Sequence, residues 1–331
     1  MAAAGGTRLV LLGTAGGPLP SPVRSGISQA VVVNDRVYVV DCGTGVTGQL
    51  RRARLLSQLH AVFLTHLHSD HACDYFNLFL LGWPIIQHGP PVRVYGPGSA
   101  GPMCALPEEG PDEPAIPLVN PENPTPGLVD VTEHHVRANA FDLNIRMRES
   151  GRSDLTELIL AEEIGVPGDL GANPFDVAPT MAPMLVHEDD AVRVTAVLVQ
   201  HAPVFPAFAF RFDTDDGSIV ISGDTAPCAN VVALAQGADV LVHEVFNDGA
   251  PDEWDDEETW EAKQRLHHLL TSHTPLSEVG QIAARADVGR LVLTHFIPGD
   301  DTLPDAHWLG GIDSSFTGEV VVGHDLLEIP L

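Results

Sequence analysis

The sequence predicts an α+β chain in which two sheets pack face to face and helices cover the outside. Two observations carry that prediction. First, strand-type runs fall in two blocks, one near the amino end and one from about residue 192 onward, and each block is accompanied by helical patterns. Second, the stretch from about 96 to 190 interrupts this alternation and reads as an insertion into one domain spanning 1–331.

The elements follow in order. Residues 8–13 (RLVLLG) and 29–42 (QAVVVNDRVYVVDC) read as strands, and Asn34-Asp35 between two apolar runs predicts a hairpin. A helix is expected over 43–60, ending near His60, followed by a short buried strand at 61–65 (AVFLT). From Gly96 to Gly127 proline and glycine dominate without a period, which marks a loop or an ordered excursion. The segment 128–190 is mixed, and DLTELILAEEIG (154–165) is its best helix. Strands are expected at 192–201, 207–213 and 218–222, a helix at 229–236 and a strand at 240–244. An acidic stretch runs from Asp252 to Glu261. A helix capped by Ser277 covers 277–286, a strand follows at 290–295, and a strand pair fills 319–329.

The 331 residues are 44% hydrophobic, enough for a sizeable core. Acids outnumber bases 45 to 17, the formal net charge is −28, and Lys263 is the one lysine. Such a surface repels phosphate backbones and anionic membranes, so a small-molecule substrate is expected and a long nucleic acid is not. The apolar run Leu9–Leu12 is too short for a signal-peptide core, and no stretch approaches the ~20 apolar residues of a membrane span. The expected location is the cytoplasm. Cys42, Cys73, Cys104 and Cys228 form no CxxC pair and read as reduced thiols.

The chemistry concentrates at Thr65-His66-Leu67-His68-Ser69-Asp70-His71, an HxHxDH pattern at the end of an apolar strand. If strand geometry continues, His66 and His68 point to one side and two imidazoles can meet one metal. Asp70 and His71 follow in the turn, within reach of a second metal. Three later residues also stand at strand ends. His201 closes VTAVLVQH, Asp224 follows SIVIS, and His295 closes RLVLTH.

This order, HxHxDH followed by His, Asp and His, resembles the metallo-β-lactamase superfamily, over most of the chain. Gly13-Thr14-Ala15-Gly16-Gly17 and Asp41-Cys42-Gly43-Thr44-Gly45 match it as well. The resemblance implies a four-layer αββα sandwich with two metals at its edge. It implies that His66, His68 and His201 hold one metal, that Asp70, His71 and His295 hold the other, and that Asp224 bridges both. Two Zn2+ suit imidazole and carboxylate ligands, with Mn2+ or Fe able to occupy the same set. A metal-bridging hydroxide is then the nucleophile, oriented by Asp70.

Two further matches resemble the ribonuclease Z and arylsulfatase-like group. His243-Glu244 lies 19 positions after Asp224, and His273 lies 22 before His295. By that resemblance Glu244 and His273 form a proton relay to the leaving oxygen. The 23 positions between His201 and Asp224 are fewer than transfer-RNA-processing members carry, which together with the net charge argues against a transfer-RNA nuclease.

The expected activity is therefore hydrolysis of a small phosphodiester or aryl sulfate. A lactonase or amide hydrolase is the alternative, for which Tyr75 is the candidate to polarise a carbonyl. The segment 141–152 (FDLNIRMRESGR) is the best place for a substrate lid, and relatives imply a homodimer. Trp83, Trp254, Trp260 and Trp308 could line an aromatic pocket, though tryptophans more often serve packing.

Overall fold

Valine-rich runs become the centre of a sheet here because both faces of that sheet are covered. The computed structural model describes residues 6–103, 117–249 and 260–331. Its strands are β1 (Thr7–Gly13), β2 (Ser28–Val33), β3 (Arg36–Val40), β4 (Leu59–Phe63), β5 (Val92–Pro97), β6 (Ile159–Ile164), β7 (Met184–Glu188), β8 (Arg193–Leu198), β9 (Phe208–Thr214), β10 (Gly217–Ile221), β11 (Val240–Phe246), β12 (Arg290–Ile297), β13 (Glu319–Val322) and β14 (Leu327–Pro330). Its helices are α1 (Val46–Arg52), α2 (Ser69–Ala72), α3 (Tyr75–Ile86), α4 (Leu128–Ala138), α5 (Ala140–Glu149), α6 (Ala229–Leu234), α7 (Trp260–Ser272), α8 (Leu276–Arg285) and α9 (Asp305–Gly310).

Two sheets of seven strands result, in the orders β14-β1-β2-β3-β4-β5-β6 and β13-β12-β11-β10-β9-β8-β7. Successive side chains on a strand face opposite ways, and the core divides accordingly. Val31, Val33, Tyr38, Val40 and Phe63 pack between the sheets, with Phe210 and Phe212 from β9. The rings of Phe63 and Phe210 meet edge-on at 5.5 Å. Their neighbours Ala30, Val32, Val37, Val39 and Val62 face outward, where α1 and α3 cover them with Val46, Leu50, Phe79 and Trp83. On the other side α6 and α8 cover the second sheet with Val231, Leu234, Val279 and Ile282. The architecture is the α+β sandwich with helices on both outer faces that the sequence predicts.

Several elements differ from the sequence reading. Segment 154–165 is not a helix. It is one 3-10 turn at Leu155–Glu157 followed by β6. The strand wins because it pairs in parallel with β5, from Val92↔Ile159 to Pro97↔Ile164, and buries both terminal isoleucines. Such pairing outweighs the helical preference of leucine, alanine and glutamate. The helix expected over 43–60 ends at Arg52, and Leu59 already belongs to β4, so His60 is a strand residue. Helix α8 starts after Pro275 rather than a Ser277 cap, because the Ser277 hydroxyl donates to Asp248 at 2.5 Å instead. The final strands pair with β12 and β1, in different sheets, and not with each other.

The expected hairpin does form, with Asn34 at φ 55 between β2 and β3. The 96–190 stretch supplies β6 and β7, an outer strand of each sheet, and its helix α4 packs on β5 and β6. Trp83 and Trp308 are buried packing residues. Trp260 opens α7, while Cys104, Trp254 and most of the acidic stretch lie outside the described residues. Among the described residues no helix is long and apolar enough to cross a membrane.

Candidate metal centre

The parallel strands of both sheets deliver their carboxyl ends to one edge of the sandwich, where ligands of α/β sheets commonly sit. Strand β4 ends at Phe63, so His66 and His68 stand on a loop rather than on a continuing strand. The loop is shaped by Asp41, at the end of β3. Its carboxylate accepts from the Thr65 amide at 2.8 Å and from the Thr65 hydroxyl at 2.9 Å, and takes the His71 Nδ1 at 2.8 Å. The Thr65 hydroxyl in turn holds the His66 Nδ1 at 3.0 Å. Both rings therefore turn their Nε2 atoms toward the second sheet. Gly43 allows the close approach, since a Cβ there would stand 2.5 Å from the Asp70 carbonyl.

From the second sheet come His201, Asp224 and His295. His201 follows β8, and its Nδ1 donates to the Ser272 carbonyl at 2.8 Å, which directs Nε2 at His68. Asp224 follows β10. His295 occupies a bulge, since Glu244 pairs with Thr294 and Val245 with Phe296, leaving His295 unmatched. Its φ of 47 is unusual for a non-glycine residue, and the bulge re-aims its ring into the edge. Gly16 clears the space, because a Cβ there would lie 2.6 Å from the His295 Nδ1.

The structure thus brings together all seven residues that the sequence singled out as ligands. His66, His68, His201 and Asp224 form one cluster, Asp70, His71, Asp224 and His295 a second, with the ligand atoms of each within 4.8 Å of one another. Asp224 belongs to both. Its Oδ1 lies 3.2 Å from His71 Nε2 and 3.3 Å from His295 Nε2, and its Oδ2 lies 3.9 Å from His66 Nε2. His201 Nε2 and His68 Nδ1 are 3.2 Å apart, and His71 Nε2 and His295 Nε2 are 3.3 Å apart. Donors on ~2.0–2.1 Å bonds around a tetrahedral ion stand ~3.3 Å from one another, so these spacings suit a metal. The buried His66 Nε2 has no hydrogen-bond partner, as expected of a ligand atom directed at a cation.

The electrostatics agree at the first cluster; at the second, Asp224 and Asp41 raise the His71 pKa against the effect of burial, so a cation there would take the place of a proton. Burial pushes the pKa of His66 and His68 down and that of His201 to about 3, so these imidazoles are neutral and keep the lone pair a metal needs. Burial works against ionised Asp224, but His295 and His71 hold it well below the usual carboxylate range. Asp70 is likewise held low, against the effect of burial, by His295 and His71.

Glu244 and His273 meet as well. His273 Nδ1 donates to Glu244 Oε2 at 2.8 Å, and Glu244 Oε1 accepts from the Thr225 amide at 2.5 Å. Burial disfavours the imidazolium, yet Glu244 outweighs it and raises the His273 pKa to about 9. His243 points elsewhere, its Nδ1 donating to the Glu244 carbonyl at 2.8 Å.

Sequence reading missed two contributors. Asp41 was noted only as part of a matching turn, and the acid closing a buried strand beside a histidine cluster was the available signal. His268 on α7 places its ring 5.2 Å from His273 and 5.7 Å from His201, and no spacing marked it. Tyr75, the carbonyl-polarising candidate, is buried with its hydroxyl 2.9 Å from that of Thr132, away from both clusters. Asp41→Asn is expected to lower metal affinity about 10- to 100-fold, as losses of ligand-orienting partners do. Competition against a chromophoric chelator measures this, and an unchanged affinity would confine Asp41 to folding.

A two-sheet sandwich whose edge gathers two histidine and carboxylate clusters around a shared aspartate defines a metal-dependent hydrolase acting on ester bonds. The chain belongs to the metallo-beta-lactamase superfamily, whose sequence model matches residues 23–266. Over 325 residues it is 30% identical to the Ribonuclease Z of Mycobacterium bovis (strain BCG / Pasteur 1173P2), covering 97% of each chain. Human tRNase Z, short form, shares the fold with a TM-score of 0.61 at 21% identity, covering 97% of this chain and 98% of that one. The metallo-beta-lactamase fold protein YhfI from Bacillus subtilis does so with a TM-score of 0.60 at 17% identity, covering 98% of each.

These relatives correct one expectation. A net charge of −28 makes a small molecule the expected substrate, and with the short His201–Asp224 spacing it argues against a transfer-RNA nuclease, yet near-full-length relatives are named Ribonuclease Z. The physical reason is screening. Exposed charges act over roughly 8–10 Å in physiological salt, so the local field at a binding face, and not the sum over the whole surface, governs contact with a polyanion.

Proposed function

We propose that this chain is a ribonuclease of the Ribonuclease Z kind, hydrolysing a phosphodiester bond of RNA with two divalent metals, zinc by ligand preference. His66, His68 and His201 would hold one ion, Asp70, His71 and His295 the other, and Asp224 both. When bound, the ions supply Lewis acidity to a phosphoryl oxygen and acidify a water molecule. Asp70 accepts a proton from the attacking water. His273, charged and held by Glu244, donates a proton to the leaving ribose oxygen. Asp41 and Ser272 fix the tautomers of His71 and His201 through their Nδ1 atoms. The domain in this reading is the whole of 1–331, with the 96–190 stretch completing both sheets.

The observation that carries the reading is the Glu244–His273 pair, 2.8 Å apart and with His273 Nδ1 3.9 Å from Asp224. A buried proton donor beside the metal clusters serves a leaving group too basic to depart alone, as the oxygen of RNA is. The test is incubation of zinc- or manganese-loaded protein with a transfer-RNA precursor carrying a 3′ extension, followed by mapping of the product ends. Cleavage at one position, abolished by a chelator and restored by the divalent ion, is the expected result. Metal-loaded protein that hydrolyses bis(4-nitrophenyl) phosphate and leaves the RNA intact would overturn it.

A further inference from the structure

A second place where imidazoles and a carboxylate converge lies at the opposite end of β4 from the HxHxDH loop. His60 sits near the start of β4, and six residues of chain, of order 20 Å if extended, separate it from His66. His187 on β7 and Asp189 in the turn after it come from the other sheet. The ligand atoms of His60, His187 and Asp189 all lie within 4.8 Å of one another. The Nε2 atoms of His60 and His187 stand 3.2 Å and 3.1 Å from the same oxygen, Asp189 Oδ2. These separations are close to those between donors in the centre already described and to the ~3.3 Å edge of a tetrahedral site.

We propose that His60, His187 and Asp189 form a third metal site, taking a divalent transition ion such as zinc and joining the outer parts of the two sheets. The surroundings are organised for it. Asp189 Oδ1 accepts from the amides of Ala191 and Val192 at 2.8 Å and 3.0 Å, which fixes the carboxylate and leaves Oδ2 facing the imidazoles. His187 Nδ1 lies 3.1 Å from the Tyr95 hydroxyl, the outer partner that holds a ligating ring in place. On Oδ2 also converge the Tyr38 hydroxyl at 2.8 Å and Arg36 Nη1 at 3.3 Å. Four donors crowd one oxygen that has two lone pairs, and an ion replacing the two imidazole protons relieves the crowding.

Arg36 does not bar the ion. It is already paired with Asp190 by two contacts, of 2.5 Å and 3.1 Å, on the solvent side. His60 is kept neutral, its pKa lowered chiefly by burial, and remains open to solvent through a side chain 30% exposed, which gives an ion its way in. Two histidines and one aspartate with a fourth position left to water or Tyr38 is a donor set suited to zinc.

The test is a metal count on the full chain. Metal-free protein is titrated with Zn2+, and native mass spectrometry counts the ions. The wild-type chain is expected to take three, and His60→Gln two, with hydrolysis of bis(4-nitrophenyl) phosphate unchanged. The third equivalent should raise the wild-type Tm and leave that of His60→Gln where it was. A wild-type count of two overturns the proposal whether or not a variant folds, and so does a count of three in His60→Gln. The third ion is counted by mass and the ribonuclease reading is tested on RNA, so either can fail without the other.

Discussion

Asp224→Asn is expected to lower kcat/KM by about 1000-fold or more, a loss of at least ~4 kcal/mol of transition-state stabilisation. The substitution preserves shape and removes the one charge common to both clusters. In the wild type one carboxylate oxygen faces His71 and His295 while the other faces His66, His201 and His273. An amide can offer only one oxygen as an acceptor, and its nitrogen would meet imidazole lone pairs or a cation. The bound metal should fall below two per chain at the centre, and hydrolysis should fall with it. Steady-state kinetics together with metal analysis by mass spectrometry checks this. Activity within tenfold of the wild type at full metal content would show that Asp224 does not join the two clusters.

His273→Ala should behave differently. Loss of a general acid typically costs 100- to 10,000-fold, and that cost is expected on RNA. On bis(4-nitrophenyl) phosphate, whose leaving group departs without a proton, the loss should be under about tenfold. Metal content should stay at that of the wild type, since His273 is not among the proposed ligands. The pH profile gives a second readout. A general acid works while protonated, so activity should fall as pH rises through the His273 pKa. Glu244 raises that value to about 9, against the effect of burial. Two added cations disfavour a nearby imidazolium, so the alkaline limb of the loaded enzyme should lie at or below this value. The limb should vanish in His273→Ala. Equal losses on both substrates, with the profile unchanged, would sink the relay and leave His273 a packing residue.

The two variants separate the parts of the site that are unequal in how they could be read. The seven candidate ligands were visible because four sit in one HxHxDH word after an apolar strand and the other three stand at the ends of apolar runs. Local patterning of this kind is written in the chain, since a short strand that must be buried and a polar residue that must not be leave their marks side by side. The hairpin at Asn34 and the strands at both sheet centres were legible for the same reason.

Pairing decided the rest. Residues 154–165 look helical until β5 offers an unpaired edge, whereupon Ile159 and Ile164 bury and the backbone joins the sheet. The bulge that turns His295 inward exists only because β11 and β12 differ by one residue in register between Glu244 and Phe296. Asp41 reaches His71 across 30 positions, and Glu244 reaches His273 across 29. His60, His187 and Asp189 carry no shared word at all, and they meet because two sheets fold onto each other. The sequence by itself determined the class of fold and the residues able to ligate a metal, since burial and alternation are local requirements. Only the tertiary structure decided which nitrogen each histidine presents, which acid orients it and which distant residues become its neighbours. Those follow from hydrogen bonds and register between strands far apart in the chain.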